Sequence, residues 1–474
     1  MARLTRRQML AGLGAMAGAG ALAACAGATP APAGEAGSAP AAATQPPAAA
    51  ATPVEEIVGR AAPAGVAKVI KLSVWGDITD MQIYSGIADD FHKQQGDIGV
   101  ELEQWIGSYY EKMQTQIAGG VEPDLIYVQG WRWQPFAERN VIRPFNEFID
   151  ADLPDYMTDV WSDAARSQTD MDGKTFMAVS DGGAMVMICA QEPFERAGLD
   201  FPPDPDWTID DFVEIVQKLT GTFDGVEQWG YQAQGGYERL APFIRLNGAL
   251  EWDQIVNPRK ANFDDPAVTK EIQLWVGDFV NEMKASPSPA MMQGGANQIQ
   301  TGNVAIKYEG PWFLARMWGA SAAREGGTKF EALPVPRGSA GTICNGFRHG
   351  HAMSARAKDP AACWELIKFI GSDVGQEHVS KGGRQPNSAR RISEMWGPIV
   401  EDMYNFTTSS AFATGWDTGT VHVISGAELS MTNEAIVPAL DSVINGRRTA
   451  EEAFAEANQD IQAILDDYWA EKEG

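Results

Sequence analysis

Residues 69–75 (Val-Ile-Lys-Leu-Ser-Val-Trp) alternate and are β-branched, which predicts a strand ending at Gly76-Asp77. Ile83, Tyr84, Ile87, Ala88 and Phe91 then recur at helical spacing. Ile98, Val100 and Leu102 alternate with Gly99, Glu101 and Glu103, a second strand. Tyr110, Met113, Ile117 and Ala118 predict a second amphipathic helix, stopped by Gly119-Gly120, and 124–128 is a short apolar run suited to a buried strand. Strand, helix, strand, helix, strand implies crossover connections and a largely parallel sheet covered by helices.

Further along, Asp172-Gly173-Lys174 is a turn between apolar runs, with strand-like stretches at 175–179 and 184–190. The acids needed for a calcium loop are missing after Gly173. Thr208-Ile209-Asp210-Asp211 is a capping box opening a helix with Phe212, Ile215, Val216 and Leu219 on one face. Another helix is predicted over 267–283, a strand over 303–306 running into Glu309-Gly310-Pro311-Trp312, and a helix over 361–370. Thr449-Ala450-Glu451-Glu452 caps a final helix carrying Phe454, Ala457, Ile461, Leu465 and Tyr468. The body is α/β throughout, without an internal repeat and without a linker dividing two sequential domains.

The N-terminus carries an address. Thr5-Arg6-Arg7-Gln8-Met9-Leu10 has the form of a twin-arginine signal, and a Gly/Ala-rich apolar stretch follows, ending Leu22-Ala23-Ala24-Cys25. That ending is similar to a bacterial lipobox, which implies cleavage after residue 24 and a diacylglycerol on Cys25. Residues 25–67, rich in Ala, Pro, Gly and Thr, read as a tether that cannot bury a core. The expected location is therefore extracytoplasmic, lipid-anchored at the outer face of the cell membrane. Beyond the first residues no apolar run is long enough to span a bilayer.

At 474 residues the chain is too long for one simple core and suits two lobes. Its net charge of −26 becomes −29 once residues 1–24, with three Arg and no acid, are removed. A surface that negative repels phosphate backbones and excludes nucleic acid as a partner. Cys189, Cys344 and Cys363 lack zinc-type spacing and are expected to be buried free thiols, with a Cys189–Cys344 disulfide left open. No Gly-x-Ser-x-Gly, His-Glu-x-x-His or P-loop motif occurs, so no enzyme activity and no cofactor is expected.

The order of landmarks resembles the family 1 extracellular solute-binding proteins, the sugar receptors of ABC importers, over roughly residues 68–470. Lys71–Gly76 matches the opening strand, Tyr110–Gly119 and Glu122-Pro123-Asp124-Leu125 the helix and strand after it, and Asp172–Lys174 with Phe194–Leu199 the first crossing. Pro202-Pro203 with Trp207-Thr208, Gly302–Ala305 to Gly310–Trp312, Leu333–Pro336, Trp364–Ile370 and Gly383–Pro386 complete the set. The resemblance implies the type II two-lobe periplasmic-binding fold with a hinge crossed three times. Mapped here, lobe 1 is 68–181 plus 351–394 and lobe 2 is 185–346 plus 396–474. It also implies a sugar ligand, ABC permease subunits with a cytoplasmic ATPase as partners, and a monomer.

Site residues follow partly from that resemblance and partly from chemistry. Open α/β sheets bind ligands at strand carboxyl ends, where Asp77 and the loop Gln129-Gly130-Trp131-Arg132-Trp133 fall. Of Trp131 and Trp133, one is expected as a stacking platform and the other as scaffold. Asp181, beside Gly182-Gly183 at the first hinge crossing, is expected to point into the cleft. Glu309 and Trp312 match the family's contact loop, with Trp312 at a sugar-stacking position. Arg348, at the second crossing, and Arg384, before a proline, are further candidates, as are Trp416, Asp417 and Tyr237 from lobe 2. His349 and His351 stand at i, i+2, but no nearby acid or Cys completes a metal site, so no metal is expected. Three rivals remain open. One is an exported glycosidase or lyase built on a carboxylate pair. Another is a same-fold receptor for a polyamine or a metal ion, Tyr109-Tyr110 suggesting ferric iron. The last is a surface lipoprotein with a dead cleft.

Overall fold

The computed structural model describes residues 59–105, 109–153, 155–160, 163–314, 329–404 and 410–474. The export signal, Cys25 and most of the tether lie outside the described residues. In chain order the main elements are β1 (Lys68–Trp75), α1 (Ile78–Gln95), β2 (Ile98–Trp105), α2 (Tyr109–Gly119), β3 (Leu125–Gln129), β4 (Ala178–Ala184), β5 (Val186–Ala190) and α3 (Ile209–Lys218). They continue with β6 (Val226–Gln232), β7 (Val304–Glu309), β8 (Phe330–Leu333), β9 (Gly346–Ser354), α4 (Pro360–Ile370), α5 (Asp373–Lys381), α6 (Ser410–Thr418) and α7 (Ala450–Glu473).

The first sheet has β2, β1, β3 and β9 side by side, with β4 on the other edge of β9. β1 runs parallel to β2 and β3, as helical crossovers require, while β9 is antiparallel to both β3 and β4. The alternation expected for β1 is there: Ile70, Leu72 and Val74 are buried and Val69 is exposed. α1 opens on a capping box in which Asp77 accepts from the Thr79 N–H and Asp80 accepts from the Asp77 N–H. It buries Ile83, Tyr84, Ile87 and Phe91. The packed body begins before residue 68: Gly59–Arg60 pair antiparallel with β2, and Arg60 donates to the Ser85 carbonyl. A two-residue strand is too short to leave a pattern in sequence.

The second sheet runs Gly221–Phe223, β6, β7, β5, β8. β6 and β7 are parallel, and β5 is antiparallel to β7 and β8. The capping boxes of α3 and α7 form in both directions, at Thr208 with Asp211 and at Thr449 with Glu452. The helix expected over 267–283 is present as Pro266–Ile272, a π turn at Gln273–Asp278 and Phe279–Asn281.

The chain passes between the sheets beside itself. β4 leads through Met185 straight into β5, and the Met185 N–H donates to the Asn345 carbonyl. Asn345 leads into β9. At Thr420 a third passage runs alongside, with Thr420 N–H donating to the Cys344 carbonyl and Gly346 N–H to the Thr420 carbonyl. Before it, α6 packs on β4 and β9 and also reaches β5 and β8. After it, Val421, Val423 and Ile424 join the core of the second sheet. Among the described residues no helix is long and apolar enough to cross a membrane.

Ser180-Asp181-Gly182-Gly183 lies in β4, paired with β9 as extended strand, where the chain first passes toward the second sheet. The glycines serve close approach: a Cβ on Gly183 would sit 2.8 Å from the Trp312 ring and from Pro311. Cys189, Cys344 and Cys363 are buried free thiols, and burial pushes the Cys344 thiol up to about 12.

Candidate functional site

The carboxyl ends of β1, β3 and β4, with the start of β9, form one edge of the first sheet, where Trp75, Gln129 and Asp181 stand. The carboxyl ends of β6 and β7 form the matching edge of the second, where Gln234, Glu309 and Trp312 stand. Trp131 and Trp312, one from each sheet, pack on the same two β9 residues. Trp131 lies 4.7 Å from Phe347 and 5.7 Å from His349 between ring centroids, and Trp312 lies 6.1 and 6.5 Å from them. Phe347 and His349 share a face because strand side chains alternate.

The acids in this region are bonded and held ionised. Burial pushes the Glu309 carboxyl up, but Arg239, Lys307 and the Gly310 N–H outweigh it and hold it below the usual range. Its Oε1 also accepts from the Trp312 indole N–H at 2.9 Å, which fixes that ring. Asp181 is likewise held low against its own burial by His349, Arg384 and Tyr127. It accepts from the Tyr127 hydroxyl at 3.0 Å and meets His349 Nδ1 at 3.2 Å. Gln129 exchanges hydrogen bonds with the Tyr110 hydroxyl, and Arg132 lies over the Tyr110 ring. Arg132 reaches Glu428, on the second-sheet side, at 3.2 Å. A cavity of about 160 Å³ lies between Tyr110, Trp131, Arg132 and Phe136 on one side and Ser425–Ser430 on the other. Ordinary small-molecule sites are roughly 300–1,000 Å³, so admitting a ligand of that size requires the two sides to part. A cavity of about 440 Å³ opens at the amino end of β6, lined by Thr222, Glu227, Lys284 and Met291, away from this edge.

Several expected contacts are engaged elsewhere. Tyr237 is wholly buried in the second core, its hydroxyl donating to Glu251, which also pairs with buried Arg245. It has no face toward the cleft. Trp133 is fully buried, donates to the Gln168 carbonyl and stacks on Phe176, while Trp131, 4% exposed, is buried in the second core. Arg348 is buried with its guanidinium over the buried Trp416 ring at 3.6 Å and bonded to the Trp416 carbonyl. That stack braces the hinge. Asp77 is half-buried and spends one oxygen on the α1 cap. Arg384 makes a two-pronged pair with Asp80, at 2.8 and 2.7 Å. The Asp417 side chain lies outside the described residues. Tyr109 donates to the Tyr127 carbonyl inside the core, so it and Tyr110 do not act as one pair of metal ligands. Among the described residues no three His, Cys, Asp or Glu side chains cluster as metal ligands.

Sequence reasoning weighed His349 only as a metal ligand and Tyr110 only as a helix or iron residue, and passed over Tyr127. Their residue types carry no signal alone; strand pairing assembles them, Asp181 opposite His349 on the neighbouring strand.

Two α/β sheets, joined by adjacent strand crossings and facing each other with their strand ends, define a two-lobe type II binding fold. A family model for bacterial extracellular solute-binding proteins matches residues 75–377, and the chain belongs to that family. Solved structures share the fold. An ABC substrate-binding protein from Listeria monocytogenes, in complex with cycloalternan, superimposes with TM-score 0.73 at 18% identity, covering 84% of this chain and 99% of that one. The GacH receptor of Streptomyces glaucescens, solved unliganded and with acarbose, gives 0.68 at 19% identity, covering 85% and 100%. The sugar-binding protein MalE from Xanthomonas citri gives 0.69 at 15%, covering 86% and 100%. No curated protein sequence matches the chain.

Proposed function

We propose that this protein is the sugar-binding component of an ABC importer, capturing a sugar or oligosaccharide between its two lobes and passing it unchanged to the permease and its ATPase. The observation that carries the reading is the pair Trp131 and Trp312, brought from opposite sheets to one hinge strand among ionised, hydrogen-bonded acids. A sugar's C–H faces pack on indole rings and its hydroxyls pair with carboxylates and amides. Closing the lobes removes water and strengthens those bonds. The Listeria protein in complex with cycloalternan and the Streptomyces receptor with acarbose support the same ligand class. Trp131, Trp312, Gln129 and Glu309 are the proposed direct contacts, with Asp77 and Arg384 at the rim. Asp181, Arg348 and Trp416 hold the hinge. In this reading residues 1–24 are a twin-arginine-type signal, lipid on Cys25 anchors a monomer outside the cell membrane, and the body acts as a receptor rather than an enzyme.

The test is thermal unfolding of the chain lacking residues 1–24 against sugars, polyamines, amino acids and metal ions. A ligand at a hundred times its Kd adds about 2.7 kcal/mol, a clear rise in Tm. A rise with one sugar class, the sugar recovered intact, supports the reading. A flat response to every sugar, or recovery of cleaved product, overturns it.

A further inference from the structure

His349 is set apart by how its ring is bonded. Its side chain is 7% exposed and stands among Tyr127 and Trp131, from β3 and the loop after it, Trp312, from after β7, and Phe347 on its own strand. One ring nitrogen, Nδ1, meets Asp181 at 3.2 Å. The other, Nε2, is buried without a hydrogen-bond partner. A buried nitrogen left unpaired costs about 1–3 kcal/mol, so such an atom calls for a partner. Nε2 is the nitrogen of the ring farther from the strand backbone.

The chemistry of the pair fixes which partner. Asp181 is held ionised and accepts only, already accepting a hydrogen bond from the Tyr127 hydroxyl, so Nδ1 carries the hydrogen it shares with Asp181. Nε2 is the ring nitrogen left to meet a ligand. The partner it lacks is a hydrogen-bonding group, on a ring packed beside Trp131 and Trp312. A sugar hydroxyl, which both donates and accepts, supplies it.

We propose that His349 is a ligand-contacting, specificity-determining residue: its Nε2 hydrogen-bonds one hydroxyl of the bound sugar beside Trp131 and Trp312. Asp181 is its positioning residue and acts through the ring rather than on the sugar. The inference rests on the sugar-receptor reading and assigns one hydroxyl of the ligand to one nitrogen.

The test titrates the wild-type chain and the His349→Phe and His349→Gln variants with maltose, glucose and galactose, then with the monodeoxy derivatives of the sugar that binds. Phe keeps the ring packing and removes the nitrogen; Gln restores a hydrogen-bonding group. The expected result is a loss of roughly ten- to a hundredfold in affinity for His349→Phe and partial recovery for His349→Gln. One deoxy derivative should bind the wild type weakly yet bind His349→Phe as well as the parent sugar does, a coupling that a merely structural role would not produce. Should His349→Phe fail to fold, nitrogen NMR of the wild-type ring decides: the Nε2 signal should shift when sugar saturates the protein. Equal affinity of wild type and His349→Phe, or an Nε2 signal indifferent to sugar, overturns this assignment while leaving the receptor reading standing. No binding of any sugar overturns both.

Discussion

Buried between the ring edges of Tyr84 and Tyr127, at 5.4 and 5.6 Å, His351 has its pKa pushed down to about 4 by loss of water, against an ordinary 6.5. The folded state therefore prefers the neutral ring. Above pH 6.5 both states are neutral and the preference costs nothing. Between 6.5 and 4 the unfolded chain binds the proton and the folded one does not, so stability falls as pH falls, by about 3 kcal/mol across the window. Replacing His351→Gln should flatten the pH dependence of the urea midpoint between pH 7 and 4.5, whatever it does at pH 7. An unchanged slope would assign the acid sensitivity to other groups. Gly183 gives a second prediction at this scale. A Cβ there meets the Trp312 ring at 2.8 Å, so Gly183→Ala should cost about 1–3 kcal/mol by overpacking and weaken sugar binding by displacing the platform. Retained affinity in a calorimetric titration would mean that Trp312 does not stack on the ligand. The candidate contacts Trp131, Trp312 and Glu309 were legible because they lie at strand ends on the sheet edge where α/β folds bind. His349 was not: only its pairing with Asp181, 168 positions earlier in the chain, brings it to that edge.

Helix α1 shows how an element joins the cap to the site. Asp80 closes its capping box by accepting from Asp77 and at the same time takes both prongs of Arg384 from the segment after α5. Burial pushes the Asp80 carboxyl above its ordinary value although Arg384 pulls it down. Removing Arg384 leaves that acid buried and unpaired, which costs on the order of 3 kcal/mol. Arg384→Met should therefore lower Tm markedly, and adding Asp80→Asn should restore much of the loss, since the amide needs no countercharge. A double variant no better than the single would locate the role of Arg384 elsewhere. Capping boxes and the 3.6-residue period are local, which is why α1, α3 and α7 could be read from sequence. Gly182-Gly183 was read as freedom for the first hinge crossing. The glycines instead clear room for Trp416 and Trp312, side chains that arrive from distant segments. Tyr237 erred in the opposite direction: nothing local shows that Glu251 and Arg245 close over its hydroxyl.

Across the whole molecule, two polar ties join the sides that must part for a ligand to enter. Arg132, over the Tyr110 ring, pairs with Glu428, which is 2% exposed and also bonded to His422 and Thr432. Glu138 pairs with Lys472 and accepts from the Tyr468 hydroxyl on α7. The second tie is exposed and salt-screened, worth about 0–1 kcal/mol. The first holds a buried carboxylate that loses its cation when the lobes separate, so it favours the closed arrangement more strongly. A tie made only in the closed form adds to the apparent affinity of any ligand that needs closure. Arg132→Ala should then weaken sugar binding by roughly five- to thirtyfold, about 1–2 kcal/mol. It should also raise the radius of gyration of the sugar-free protein in solution scattering. Lys472→Ala should change affinity less than fivefold, with an effect that vanishes at high salt. The scattering separates a latch from a ligand contact: if Arg132→Ala loses affinity while the sugar-free radius stays the same, Arg132 touches the sugar and the lobes are held by packing at the hinge strands instead.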